Sequence, residues 1–229
     1  TASLANARGL GRAIYSNSLY PAARYGINGL EHIGSRSEQP FGLERSLLGR
    51  TYQDVISILV QTRASVAPSL VAFGGFQQII EGNRLWTAES AYAQLYSEYE
   101  RRDWQTEEYN PATIVGLQET VATLVRAGGR ISAGRAAPAV PYGLGLHAEL
   151  ALLAAAGLPN DQVLRIATAD AALALGLEHD LGTVEVGKLA DFLVLSGDPL
   201  TRITDSLRIE AVVKGGVWHD RQELMTTPR

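Results

Sequence analysis

The chain has no cysteine. Disulfides, thiolate metal sites and cysteine nucleophiles are therefore excluded. Long apolar runs are missing too. The longest, from Leu150 to Leu158, is far shorter than the roughly 20 residues that cross a bilayer as a helix, so no membrane partner is expected. Positive charge is not in excess: 20 Lys and Arg face 24 Asp and Glu, for a net charge of −4. Bulk charge thus disfavours a phosphate backbone, and no nucleic-acid partner is expected. No signal-peptide pattern opens the chain. The compartment stays unknown from sequence, with the cytoplasm slightly favoured. Thr1 as first residue fits a processed product or a fragment as well as a whole protein. Self-contained motifs for dinucleotides, P-loop phosphates, HExxH zinc sites and GxSxG nucleophiles are absent. Solenoid repeats and low-complexity segments are absent as well.

What remains is the composition of a globular α/β protein. Apolar residues make up 46% and charged residues 19% of 229, which suits one large domain or two small ones. Short β-prone runs are expected near residues 12–16, 28–33, 65–73 and 130–133. Helical patterns fall between and after them, at 19–25, 51–62, 86–102, 111–127, 146–156 and 160–175. Thr51 reads as an N-cap, with Val55, Ile56, Leu59 and Val60 on one face. Asn110 followed by Pro111 marks another helix start, and Gly128 with Gly129 its end. Tyr92, Leu95, Tyr96 and Tyr99 recur at helical spacing and read as a packing stripe. Alternating strands and helices imply parallel βα units with right-handed crossovers. From Thr183 the texture changes to strands near 189–195 and 209–214, separated by turn residues.

The chemistry-bearing residues are sparse. Four histidines, His32, His147, His179 and His219, are widely separated, and no HxH pair exists. His179 and His219 sit in polar turns and receive no role. His32 follows Glu31 at a strand end, where parallel barrels gather their chemistry and an imidazole can hold a divalent metal. His147 opens a helix after a Gly-rich loop that carries Tyr142. It suits a hydrogen bond to a substrate carbonyl or a helix cap. Glu31 and Glu149 are weighed as an acid–base pair, with Glu149 read rather as a solvated or capping helix residue. Thr1 as an N-terminal nucleophile is set aside, because its neighbourhood reads as helix and not as a strand start.

The runs "AGGRISAG", "APAVPYGLGLHAELALLAAAGL", "LGTVEVGKLADFLVLSGDPL" and "IEAVVKGG" resemble the C-terminal part of the metal-dependent amidohydrolase superfamily, in its imidazolonepropionase-like branch. "YGINGLEHIG" is similar to the family's sixth-strand His motif, and "LLGRTYQDVISIL" with "SVAPSLVAFGG" to its next helix and strand. The resemblance covers nearly all of this chain but only the second half of the family's architecture. It implies the C-terminal half of a (βα)8 TIM-like barrel over residues 1–182, and strands of a small β-sandwich over 183–229. The family's first four strands, with the HxH pair and the metal-bridging residue, are absent.

The resemblance also says where a metal centre would be. The family holds one or two divalent metals with His from strands one, five and six, and an Asp at the end of strand eight takes the proton of metal-bound water. Strand six keeps its ligand, His32, the surviving candidate here. The strand-five ligand position falls on Asn17, whose neutral amide is a weak donor to zinc. The strand-eight Asp position falls on Ala136, which neither binds metal nor accepts a proton. The neighbouring Arg135 would repel a cation and suits a carboxylate or phosphate, although strand alternation places it on the face opposite Ala136. The expectation is a family member with a degraded metal centre, acting as a non-hydrolytic subunit or a metal-free pocket lined by His147, Tyr142 and Arg135. No cofactor is then held by this chain alone. The alternatives are a metal-dependent hydrolase of cyclic amide or peptide-like C–N bonds, its zinc or other divalent site completed by another chain, and a structural assembly subunit. A half-barrel exposes strand edges and a normally covered face, so a second copy or a separate chain is the expected partner.

Overall fold

In a computed structural model, the structure describes residues 29–31, 53–82, 92, 95–98, 110–134 and 140–226. The strand expected at 12–16, the helix at 19–25 and most of that at 86–102 lie outside these residues, as do Asn17, His32, Arg135 and Ala136.

Three strands, β1 (Gly29–Glu31), β2 (Ser65–Ala67) and β3 (Arg130–Ile131), form a parallel sheet in chain order. Leu30 pairs with Val66, and Val66 with Ile131. Central β2 is buried along its whole length, as a parallel strand covered on both faces must be. Helix α1 (Gln53–Thr62) leads into β2 and buries Val55, Ile56 and Leu59, much as the apolar spacing implies. Helix α3 (Pro111–Arg126) leads into β3. Its N-cap is Asn110, whose side chain accepts the Ala112 amide at 3.0 Å, and Pro111 occupies the first turn.

The run at 65–73 departs from expectation. Only Ser65–Ala67 is strand. Pro68 and Ser69 break it, and Leu70–Phe73 close into a 3₁₀ turn followed by α2 (Gly75–Gly82). The β-branched, apolar composition that suggests a strand serves burial instead: Leu70, Val71 and Ala72 are all buried. Helix α4 (Leu144–Ala155) packs on α2, α3 and the 3₁₀ turn, and its Leu152 and Leu153 are fully enclosed. Buried Gln118 of α3 donates its amide to the Leu152 carbonyl at 3.0 Å. The single helical segment expected at 160–175 is two, α5 (Asn160–Ala167) and α6 (Ala169–Leu175). Thr168 leaves helical geometry between them (φ −124°, ψ −89°), and its hydroxyl bonds back to the Leu164 carbonyl at 2.8 Å.

The C-terminal element is an antiparallel sheet of β4 (Phe192–Leu195), β5 (Ile209–Lys214) and β6 (Val217–Asp220), followed by α7 (Arg221–Thr226). β6 is not anticipated by sequence. The turn that creates it is legible, because Gly215 and Gly216 both take positive φ (58° and 79°), as a two-residue hairpin loop requires. Asp191 fastens this turn, accepting from Lys214 Nζ and from the Gly215 amide. A second 3₁₀ segment, Ile203–Leu207, lies against α4. No helix among the described residues is long and apolar enough to cross a membrane.

The close approach of α2 to the 3₁₀ turn depends on Gly75. A Cβ there would stand 2.5 Å from Leu152 Cδ1 and 2.6 Å from the Leu70 carbonyl oxygen. The leucine tip can move but the carbonyl cannot. Gly75→Ala is therefore expected to cost about 1–3 kcal/mol, read as a lower urea midpoint with unchanged slope. An unchanged midpoint would show that this packing is not tight.

Candidate functional site

Helix α4 packs on the 3₁₀ turn that follows β2, where Glu149 meets the Leu70 and Val71 amides. The loop into α4 turns at Gly143 (φ 77°, ψ −72°), a conformation that favours glycine. Tyr96 holds this loop: its hydroxyl donates to the Tyr142 carbonyl, and the Leu144 amide points at the Tyr96 hydroxyl oxygen at 3.5 Å. The Tyr142 side chain is exposed (62%).

His147, one turn into α4, is mostly buried, and its Nδ1 lies 2.9 Å from Ser206 Oγ on the second 3₁₀ segment. Burial lowers its pKa to about 4, so the ring is neutral at pH 7. One ring nitrogen is thus spent on joining α4 to the C-terminal element. The helix-cap alternative is not the one realised by this contact, since Ser206 is 59 residues away in sequence.

Glu149 corrects the sequence reading most. It is neither solvated nor a cap of its own helix. It is fully enclosed, and its two carboxylate oxygens accept the Leu70 and Val71 amides, each at 3.0 Å. It therefore caps the 3₁₀ turn that leaves β2, from a different part of the chain. Burial raises its pKa to about 7, against the opposing pull of the Val71, Leu70 and Ser69 amides. A signal was present in the sequence: α4 is apolar nearly all round, so an acid in its middle must be buried and must find donors.

Of the residues singled out by sequence, Tyr142 and His147 stand on the same loop and helix start. His32, Asn17, Arg135 and Ala136 are outside the described residues. β3 ends at Ile131, and the chain continues through Ser132 and Ala133 to Gly134, two residues before Ala136. Ser132 donates its amide to the Val66 carbonyl at 3.0 Å, so the chain still lies beside β2 just after the strand ends. Among the described residues no group of three or more His, Asp or Glu side chains is suited to a metal ion.

Residues 118–218 match the model of the amidohydrolase family. Over these residues, which are less than half of the chain, it is similar to that family. No curated protein matches the chain. Among solved structures, the chain is similar to a Xaa-Pro dipeptidase with bound methionine in the active site (TM-score 0.59, 19% identity, 88% of this chain and 42% of that one). It is also similar to a molinate hydrolase (TM-score 0.59, 18% identity, 92% and 42%). A third neighbour is a putative prolidase from Bifidobacterium longum (TM-score 0.58, 23% identity, 88% and 44%). At these identities the likeness is one of fold. The chain spans less than half the length of each of these structures.

The two buried titrating groups of α4 make opposite demands on pH. His147 has its pKa lowered, so its contribution to stability is complete above its ordinary 6.5 and is lost as pH falls toward 4. Glu149 has its pKa raised, so its contribution is complete below its ordinary 4.5 and is lost as pH rises through 7. Between about pH 4.5 and 6.5 the slopes oppose and largely cancel. Relative to the unaltered chain, Glu149→Gln is expected to gain stability with rising pH across this window, and His147→Gln to lose it, each by about 3 kcal/mol. Urea unfolding from pH 4.5 to 7.5 measures both. Parallel profiles for all three proteins would show that these groups are not the titrating ones.

Proposed function

We propose that this chain supplies the second half of an amidohydrolase barrel, residues 1–182, with a small β-sandwich segment at 183–229, and that its metal centre is degraded. It would act as a non-hydrolytic subunit or as a metal-free pocket. The observation that carries this reading is the residue beyond β3, where the family's proton-accepting Asp position is Ala136. A methyl group removes a metal ligand and the general base at once. Asn17 at a second ligand position and Arg135 beside Ala136 point the same way. One imidazole, His32, and one carboxamide do not fit zinc or another divalent ion, which needs three or four good donors. No step through a metal is therefore derived for this chain. Tyr142, His147 and Arg135 are the residues proposed to face a small-molecule ligand, with the Nδ1 of His147 already engaged by Ser206.

The sequential parallel order β1-β2-β3 supports the barrel half. The chain covers 42% of the Xaa-Pro dipeptidase chain, and the proposal assigns the rest of the barrel to a partner, a second copy or a separate chain. Exposed apolar side chains on and before the small sheet, Val184, Val186, Leu193 and Trp218 among them, support a covering partner there. The second reading, a hydrolase of amide-like C–N bonds completed by that partner, draws on the same coverage and on hydrolases among the structural neighbours.

Metal analysis separates the two. After purification with zinc and exhaustive dialysis, the chain alone is expected to retain far less than one zinc per chain, and Ala136→Asp combined with Asn17→His to retain more. Stoichiometric zinc in the unaltered chain overturns the degraded-centre reading.

A further inference from the structure

Ser69, the second residue after β2, carries two unfavourable features at once. Its backbone is left-handed (φ 52°, ψ 48°) although it is not glycine. Its hydroxyl is buried without a hydrogen-bond partner among the described residues, and the residue is wholly enclosed. Each feature is disfavoured in a folded chain and persists only where the surroundings impose it. The surroundings do so here. Glu149 grips the next two amides, Leu70 and Val71, and the Ser69 carbonyl accepts the Ala72 amide at 2.9 Å. On the other side the chain leaving β3 comes so close that a Cβ on Gly134 would stand 2.9 Å from Ala67 Cβ and 3.3 Å from Ser69 Oγ. The hydroxyl is thus fixed at the C-terminal ends of β2 and β3, the edge at which parallel α/β barrels bind their ligands.

We propose that this turn is a built ligand-binding element, in which Glu149 positions the backbone and the Ser69 hydroxyl donates a hydrogen bond to a carbonyl or carboxylate oxygen of a small molecule seated at these strand ends. The inference rests on the reading of the strand-end region as a pocket. Enclosure shields such a bond from water and strengthens it. Entry requires transient local opening of the turn, after which the bonds from Leu70 and Val71 to Glu149 hold the turn around the ligand.

N-acetylglycine, which carries both an amide carbonyl and a carboxylate, is the probe. Its binding to the full chain is followed by amide chemical shifts, and thermal melts are recorded without it. Saturable binding to the unaltered chain is expected, weakened about tenfold in Ser69→Ala. The Tm of ligand-free Ser69→Ala is expected to be no lower, because the hydroxyl has no hydrogen-bond partner among the described residues. Ser69→Gly is expected to raise Tm by relieving the left-handed backbone, and to weaken binding equally. Glu149→Gln is expected to speed hydrogen exchange at Leu70 and Val71 and to weaken binding. A lowered Tm in Ser69→Ala would make the hydroxyl structural and overturn the proposal. So would unaltered binding in that variant, or no saturable binding to the unaltered chain. Zinc in the unaltered chain would overturn the degraded-centre reading while leaving the Ser69 comparison intact.

Discussion

A buried carboxylate in the middle of α4 ties the helical layer to the end of the central parallel strand. Glu149 loses its water on folding, a cost of several kcal/mol for an ion left alone. The Leu70 and Val71 amides, which begin a 3₁₀ turn and have no partner within it, offset that cost. Two needs are met by one contact. The residue just before this contact, Ser69, has a left-handed backbone, and there the chain turns onto its path out of β2. Removing the acid would free that path, and α2, α4 and the strand end would lose their common reference point.

The C-terminal element is joined to this body largely by polar bonds. His147 meets Ser206, the Tyr92 hydroxyl donates to the Leu207 carbonyl, and the Asn160 amide donates to the Leu200 carbonyl. Ile203 and Leu207 add the apolar part and belong to the main core cluster. The sheet itself is weakly buried: in β4 no residue is fully covered, and in β5 only Ala211 and Val213 are. Three strands with an uncovered apolar face are marginal on their own. Its order depends on the anchoring 3₁₀ segment and on Asp191 holding the hairpin turn, where the bond from Lys214 keeps the Asp191 pKa low.

Some of this was readable in the residues because it is local. Asn110 and Pro111 mark the start of α3 by capping chemistry that needs no tertiary partner, and Gly215–Gly216 mark a hairpin by backbone freedom alone. Other features were misread because two structures satisfy the same pattern. The apolar run after Ala67 suits a strand or a buried turn, and only the donor-hungry acid on α4 selects the turn. The break at Thr168 hides in an Ala-rich stretch of good helix formers, since a side-chain bond to the Leu164 carbonyl is not visible in propensity. β6 is four residues of mixed character, and its partner strand defines it.

The sequence by itself carried the resemblance to the amidohydrolase family, through motifs such as the run from Gly182 to Leu200, and the identities of Asn17, Arg135 and Ala136 at the positions that resemblance assigns to the metal site. It also determined the parallel βα texture, because periodicity and punctuation are properties of neighbouring residues. Only the tertiary structure decided what Glu149, His147 and Ser69 do. Their partners are 79, 59 and, for the close approach of Gly134 to Ser69, 65 residues away in the chain. A buried polar group takes its role from the donors and acceptors that packing brings to it, and no local pattern names a partner at that distance.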